Sequence, residues 1–113
     1  MSGVLHERFT LTILSGQANS EVYDLRSPKA RQLLQAIHFY SPATLPEDIN
    51  IQVSYNAGTT WDILRSAGVD IVLDPSRADV IDVEPSWDQL RLSTTTSTVA
   101  GNRVFNVRTV AGE

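Results

Sequence analysis

Apolar and polar side chains alternate with a period of two along most of this chain, which is the pattern of strands that bury one face. The alternation is clearest over residues 8–13 and 49–55. Shorter segments repeat it at residues 61–63, 69–73, 90–92 and 105–109. Clusters of Gly, Pro, Asn and Asp, which are typical of turns, separate these segments. About eight or nine short strands predict an all-β fold, a two-sheet antiparallel β-sandwich of the jelly-roll type.

One stretch fits two interpretations. Apolar residues recur at helical spacing after Pro28, a residue that is tolerated in the first turn of a helix. The following residues 37–42 have the composition of a strand. We predict that Arg31 to Tyr40 is mostly strand, with a single helical turn near residues 28–32.

The length of 113 residues fits one domain with one hydrophobic core. We predict a single β-sandwich domain over residues 1–113. Within it, residues 1–7 form an N-terminal arm, residues 8–110 the sandwich and residues 111–113 a short tail.

The composition of the chain argues against several classes of partner and site. Nine Lys and Arg against thirteen Asp and Glu leave a net charge of −4, so we expect no nucleic acid partner. The absence of Cys excludes disulfides and thiolate metal sites. No apolar run approaches the roughly 20 residues of a membrane helix, and the first residues lack the pattern of a signal peptide. We therefore expect a soluble protein that is made in the cytoplasm and has no membrane partner.

The residues that would carry enzymatic chemistry are few and scattered. The two histidines are His6, in the arm, and His38, which lies on the face of its strand opposite Ile37 and Phe39. The densest carboxylate run consists of Asp70, Asp74, Asp79, Asp82 and Glu84. Its spacing is not that of a calcium loop, which favours a solvated rim over a metal site. We predict no enzyme activity, no metal and no cofactor.

Three stretches share their order and spacing with a known family. They are Glu21–Leu25, Leu34–Tyr40 and Ile51–Trp61. Together they resemble the galactose-binding-like, or discoidin-like, β-sandwich family, in which the last stretch is a hairpin of the form V-S-x-D/N-G-x-T-W. Here the hairpin reads V-S-Y-N-A-G-T-T-W, with one extra loop residue. The segments at 90–92 and 103–107 also suit the last two strands of that family.

Within this hairpin we predict structural roles for Gly58 and Trp61. The extra residue favours a three-residue loop with Gly58 at a positive φ, a conformation that glycine adopts without strain. Trp61 precedes Ile63 by two positions, so both share one face of a strand. We predict that this face is the inner one and that Trp61 anchors the core between the sheets.

The same resemblance implies an alternative function, a carbohydrate-binding module of the discoidin-like type. Members that bind sugars do so through loops at one end of the sandwich. Exposed aromatic side chains would carry glycan binding, and the candidates in this chain are Trp87, Tyr40 and Tyr23, with Trp87 the foremost.

A second resemblance rests on composition. A compact acidic sandwich with many Thr and Arg, a single Lys and no Cys is similar to small virion structural proteins of tailed bacteriophages. This resemblance implies a non-enzymatic capsid decoration, or cement, protein located in the virion, or else a head-tail or tail accessory protein. Its expected partners are the major capsid protein and copies of itself.

Apolar residues outside the predicted strands are the candidates for binding such partners. Val4 and Leu5 lie in the arm, Leu45 lies between two prolines, and Val99 lies in the Thr-rich loop 93–102. An arm of this kind adds contact area, or a strand, to the sheet edge of a neighbour. A frayed terminus and a flexible loop are the alternative interpretation.

Overall fold

The computed structural model describes residues 5–25, 33–83, 87–94 and 98–112. Within those ranges the chain forms eleven strands and no helix. The strands are β1 Leu5–Ile13, β2 Tyr23–Asp24, β3 Leu33–Tyr40, β4 Ile49–Ser54, β5 Asp62–Ile63, β6 Arg65–Ser66, β7 Val69–Asp70, β8 Val72–Leu73, β9 Ala78–Asp82, β10 Gln89–Thr94 and β11 Arg103–Gly112. Accordingly, the described part of the chain contains no helix that could span a membrane.

One of the two main sheets, which we call sheet A, has the strand order β1-β11-β3-β9 with every neighbouring pair antiparallel. The alternation in sequence explains its two faces. In β11, Phe105 and Val107 are buried, whereas the alternating residues Val104 and Asn106 are exposed. The inner face of sheet A therefore consists of the apolar half of each alternating strand.

The other main sheet, sheet B, has the order β2-β10-β4-β5, and β8 pairs with the opposite end of β4 from β5. The chain crosses between the sheets repeatedly: β1, β3, β9 and β11 belong to sheet A, and the strands between them belong to sheet B or to the small β6-β7 hairpin. An antiparallel layer of four strands and one of five strands, connected in this way, form a jelly roll. The predicted all-β sandwich is confirmed.

The core lies between the two sheets. Its largest fully buried side chains include Phe39 and Phe105 from sheet A and Ile51 and Leu92 from sheet B. Each such side chain stabilises the fold by about 1.5–3 kcal/mol relative to an exposed position. The predicted strands around 9–13, 49–53, 90–92 and 105–109 supply most of this core and are confirmed.

An aromatic pair lies where β1 and β2 meet at one side of the sandwich. Phe9 stacks on Tyr23, with ring centroids 4.5 Å apart and an interplanar angle of 17°. The Tyr23 hydroxyl donates a hydrogen bond to Glu7 Oε1 at 3.0 Å. Burial first, and then this bond and the nearby carboxylates, raise the pKa of Tyr23 above its ordinary value.

The ends of the sandwich differ from the prediction. Strand β1 begins at Leu5, and Glu7 pairs with Thr109 of β11, so assigning residues 5–7 to a free arm is wrong. Strand β11 continues to Gly112, past the predicted end of the sandwich at residue 110, and its residues 109–111 pair with residues 5–7. The predicted strand over Arg31 to Tyr40 is confirmed from Leu33 onward. The predicted helical turn near 28–32 lies outside the described residues.

An ion pair fixes the loop before β4 against β11. Arg103 donates from Nε to Glu47 Oε1 at 2.9 Å and from Nη2 to Glu47 Oε2 at 3.1 Å, and both side chains are about nine-tenths buried. This bidentate contact lowers the pKa of Glu47 and raises that of Arg103. The loop is therefore held by charge as well as by packing.

Candidate interaction surface

The outer face of sheet B is covered by the chain itself. The side chains of Asn50, Gln52 and Ser54 point outward from β4, yet they are only 5%, 9% and 0% exposed. Ser54 Oγ accepts from the Gly58 N–H, and Asn50 Nδ2 donates to the Ile71 carbonyl at 2.9 Å, so residues of the segment 55–71 contact this face. Gln52 Oε1 accepts from Arg91 Nε. The outward side chains of β4 are therefore shielded from water by contacts within the chain.

Trp61 belongs to this covering segment. Its ring lies over the guanidinium of Arg91, whose carbon is 4.2 Å from the ring centroid. Arg91 Nε donates to Gln52 Oε1 at 2.8 Å, and these two residues are direct neighbours on β10 and β4. Desolvation lowers the pKa of Arg91, and the electron-rich ring offsets part of that cost.

The prediction that Trp61 lies between the sheets is wrong. Ile63 pairs with Gln52, whose side chain points outward, so Ile63 and, by alternation, Trp61 share the outer face. A shift of one residue in register moves a whole strand's side chains to the other face. Trp61 is partly buried and packs on the outer face of sheet B, over Arg91.

The loop before Trp61 is organised by Ser54. Its Oγ accepts hydrogen bonds from the backbone N–H of Gly58 at 2.8 Å and of Asn56 at 3.3 Å. The predicted positive φ of Gly58 is confirmed at 86°. The predicted three-residue loop is wrong, because residues 55–61 all lie between β4 and β5 and Ala57 also has a positive φ, of 56°.

The outer face of sheet A contrasts with that of sheet B because it is exposed. We call it the open face and define it by Arg8, Thr10, His38, Tyr40, Val80, Val104, Asn106 and Arg108. Three of its apolar side chains, Val80, Val104 and Tyr40, are 55%, 42% and 39% exposed. A shallow depression of about 370 Å³ lies among Arg8, Tyr40, Asn106 and Arg108. The open face is thus broad, nearly flat and of mixed polarity.

Two arginines lie side by side on the open face of a chain whose net charge is −4. Arg8 pairs directly with Arg108, and Arg108 pairs with His38, so the three lie in one row across three strands. Like charges directly opposite on a sheet destabilise it, by up to about 1 kcal/mol. Two guanidinium groups side by side suit an acidic surface laid against the face.

Two of the four residues predicted to bind partners lie in the core. Leu45 is 8% exposed and Val99 is 2% exposed, so the prediction that they present apolar side chains to a neighbour is wrong. The backbone of Val99 exchanges hydrogen bonds with Gly16 and Gln17, at 2.8 and 3.0 Å, which fixes the side chain inward. Val4 lies outside the described residues, and Leu5 is the first residue of β1.

The three aromatic candidates for glycan binding do not form one site. Trp87 is 8% exposed and packs in the core, so the prediction that it is an exposed contact residue is wrong. Tyr23 is partly buried against Phe9. Tyr40 alone of the three is exposed, on the open face. They are therefore distributed between the core, one side of the sandwich and the outer surface.

The carboxylate run behaves mostly as the predicted rim. Asp70, Asp74 and Asp82 are exposed, and Asp79 is partly buried. Desolvation, and then repulsion from Asp74, raises the pKa of Asp79. Glu84 lies outside the described residues. Among the residues that are described, no three His, Asp or Glu side chains are grouped so as to hold a metal ion.

Sequence reasoning placed His38 on the correct face but missed the row that it shares with Arg8 and Arg108. Both arginines occupy outward positions of alternating strands, which was the available signal. Their proximity depends on β1 and β3 flanking β11, and alternation alone does not specify which strands are neighbours. The residues of the open face were therefore identifiable one by one, but not as a surface.

Comparison with known proteins gives a fold neighbour and no family. No protein-family model matches the sequence, and no curated protein matches it either. One solved structure is similar to this chain, that of a protein from Bacillus endospore appendages, described as a novel family of disulfide-linked pili. The two share 11% sequence identity with a TM-score of 0.52, over 99% of this chain and 90% of the other. At this identity the likeness concerns the fold.

Proposed function

We propose that this protein is a non-enzymatic structural subunit that lies in many copies on a protein lattice, most concretely a decoration protein on the head of a tailed bacteriophage. The observation that carries the proposal is the difference between its two outer faces. The outward side chains of β4 in sheet B are buried by contacts within the chain, whereas Val80, Val104 and Tyr40 on the open face of sheet A are exposed. In this proposal, the open face is the surface that contacts the lattice.

The physical basis is the sum of modest contacts over a repeated surface. The exposed apolar side chains would be buried on docking, and the neighbouring Arg8 and Arg108 complement acidic groups on the lattice. Copies held side by side on one particle bind with an avidity that exceeds the affinity of each contact. No chemical step is required of the subunit.

The fold neighbour supports a structural role, because that protein comes from pili and matches this chain over nearly its whole length. The mode of linkage differs. The neighbour's family is described as disulfide-linked, whereas this sequence has no Cys. Contacts made by this chain with other subunits are therefore noncovalent in our proposal.

The test is to count copies of the chain in purified phage particles by quantitative mass spectrometry. A decoration protein is expected in hundreds of copies, because it follows the capsid lattice. A count of six or twelve would assign the chain to a head-tail connector or a tail ring instead. If the chain is absent from particles, the virion assignment is wrong.

A pair of matched variants tests the contact surface in the same particles. Tyr40→Ala with Arg108→Ala changes the open face, whereas Tyr55→Ala with Arg65→Ala removes the same residue types from the segment that covers sheet B. We expect the first variant to be lost from particles by at least about tenfold and the second to be retained, while both remain folded. Equal retention would show that another surface binds the lattice.

A further inference from the structure

The two edges of sheet A are β1 and β9, and among the described residues each pairs with a strand on one side only. Hydrogen bonds near the ends of these two strands show which of their backbone groups point away from the sheet. The Thr12 N–H of β1 donates a hydrogen bond to the Glu21 carboxylate, so it points away from β11. In an antiparallel pair the N–H and C=O of one residue point to the same side, and the side alternates along the strand. The backbone groups of Arg8 and Thr10 therefore also point outward from the sheet edge.

The same reasoning applies to β9. The Ser41 N–H donates to the Arg77 carbonyl at 3.0 Å, which continues the ladder between β3 and β9. Odd-numbered residues of β9 therefore direct their backbone groups toward β3, and Ala78, Val80 and Asp82 direct theirs outward. At both edges, the residues whose backbone groups point outward are also those whose side chains lie on the outer face of sheet A.

These two edges are complementary to each other. Sheet A has four antiparallel strands, so β1 and β9 run in opposite directions. A second copy displaced along the sheet, in the same orientation, therefore presents its β9 antiparallel to β1. At both edges, the backbone groups that point away from the sheet belong to residues whose side chains lie on its outer face. Pairing of β9 with β1 therefore also keeps the outer faces of the two copies on the same side. Pairing of like edges would need a twofold rotation instead.

The side chains agree with this arrangement. Pairing of Arg8 with Val80, and of Thr10 with Ala78, leaves the Glu21 contact with Thr12 intact. It places Arg8 diagonal to Asp82 of the neighbouring copy, within reach of long side chains of opposite charge. Within the described residues, Glu21 blocks only the Thr12 end of β1. Natural proteins usually protect exposed edge strands more completely.

We infer that β1 of one copy pairs with β9 of a second copy, so that this protein polymerises head to tail through a continuous sheet A. The contact is heterologous and does not close on itself, so it generates open chains. This inference deepens the proposed function and rests on it for its biological setting, because the chains would carry successive open faces on one side. The pairing itself is a property of the free protein.

The test uses proline at residues whose N–H groups point outward from an edge. Thr10→Pro removes an outward-pointing backbone N–H from β1, and Val80→Pro removes an outward-pointing backbone N–H from β9. Neither N–H takes part in the ladder within the subunit. Proline is accepted at such edge positions. Thr10→Val and Val80→Thr are the matched controls, because they change the side chain and keep the donor.

Sedimentation velocity of the full chain over a range of concentrations measures association, and circular dichroism verifies folding. We expect the parent and both controls to form chains, and each proline variant to associate at least about tenfold more weakly. A mixture of the two proline variants should form a 1:1 dimer and nothing larger, because only one intact β1 and one intact β9 remain in each pair.

Several results would overturn the inference. They are a parent protein that stays monomeric at every concentration, proline variants that are folded and associate like the parent, and a mixture that stays monomeric. Association lost in Thr10→Pro but kept in Val80→Pro would indicate pairing of like β1 edges and would also refute it. The variant with Tyr40→Ala and Arg108→Ala should still form chains, so failure of the proposed function and failure of the edge pairing give different results.

Discussion

Replacing Trp61 by alanine tests the placement of this side chain on the outer face of sheet B. Truncation of a large aromatic residue in a core costs about 3–5 kcal/mol. Trp61 is only partly buried, so roughly half of that figure applies, about 2 kcal/mol, of which its contact with Arg91 contributes about 0.5–1 kcal/mol. Phe39→Ala is the comparison, because Phe39 is 0% exposed and should cost the full core value.

The assay is equilibrium unfolding in urea of the parent, Trp61→Ala, Phe39→Ala, Arg91→Met and the double variant of Trp61 and Arg91. The coupling free energy from this double-mutant cycle should be about 0.5–1 kcal/mol. If Trp61→Ala destabilises the protein as much as Phe39→Ala and shows no coupling to Arg91, then Trp61 packs in the core and the reasoning is refuted.

Three further predictions concern single positions. Gly58→Val should lower the free energy of unfolding by about 1–3 kcal/mol in a urea titration, because φ is 86° and an added Cβ would lie 2.8 Å from Gln89 Oε1; an unchanged midpoint would contradict it. Glu47→Gln should lower the melting temperature by disrupting the pair with Arg103. Because the pKa of Glu47 is lowered on folding, this difference should be full above the ordinary pKa of glutamate and should shrink as the pH falls; a difference that grows in acid would be inconsistent with it. Tyr23 has a raised pKa in the folded protein, so its neutral form stabilises the fold below pH 10, and the parent should lose stability above that pH relative to Tyr23→Phe in alkaline thermal melts.

At the edges of sheet A, the direction of a residue's backbone groups depends on whether its position in the strand is even or odd. The side chains of Thr10 and Leu11 differ in polarity, and the sequence shows that one faces water and the other the core. Only the hydrogen bond of the neighbouring Thr12 establishes which backbone groups face the free edge. A proline at Thr10 is therefore a test of association, whereas a proline at Leu11 would remove a bond within the fold.

The fold class and most of the core follow from the alternation of apolar and polar residues. Alternation identifies the buried residues of β1, β4, β10 and β11, because a strand with one buried face needs an apolar residue at every second position. It also located the positive φ of Gly58, a local property of the turn. These features depend on neighbours along the chain, which the sequence displays directly.

The face that Trp61 occupies and the burial of Leu45, Trp87 and Val99 depend on contacts between distant parts of the chain. Alternation shows that two residues share a face, but not whether that face points inward, because this depends on the register with a distant strand. In the same way, Arg8 and Arg108 are 100 positions apart in the sequence and meet because β1 pairs with β11. The open face and its two free edges are products of strand order, which arises from packing over the whole chain.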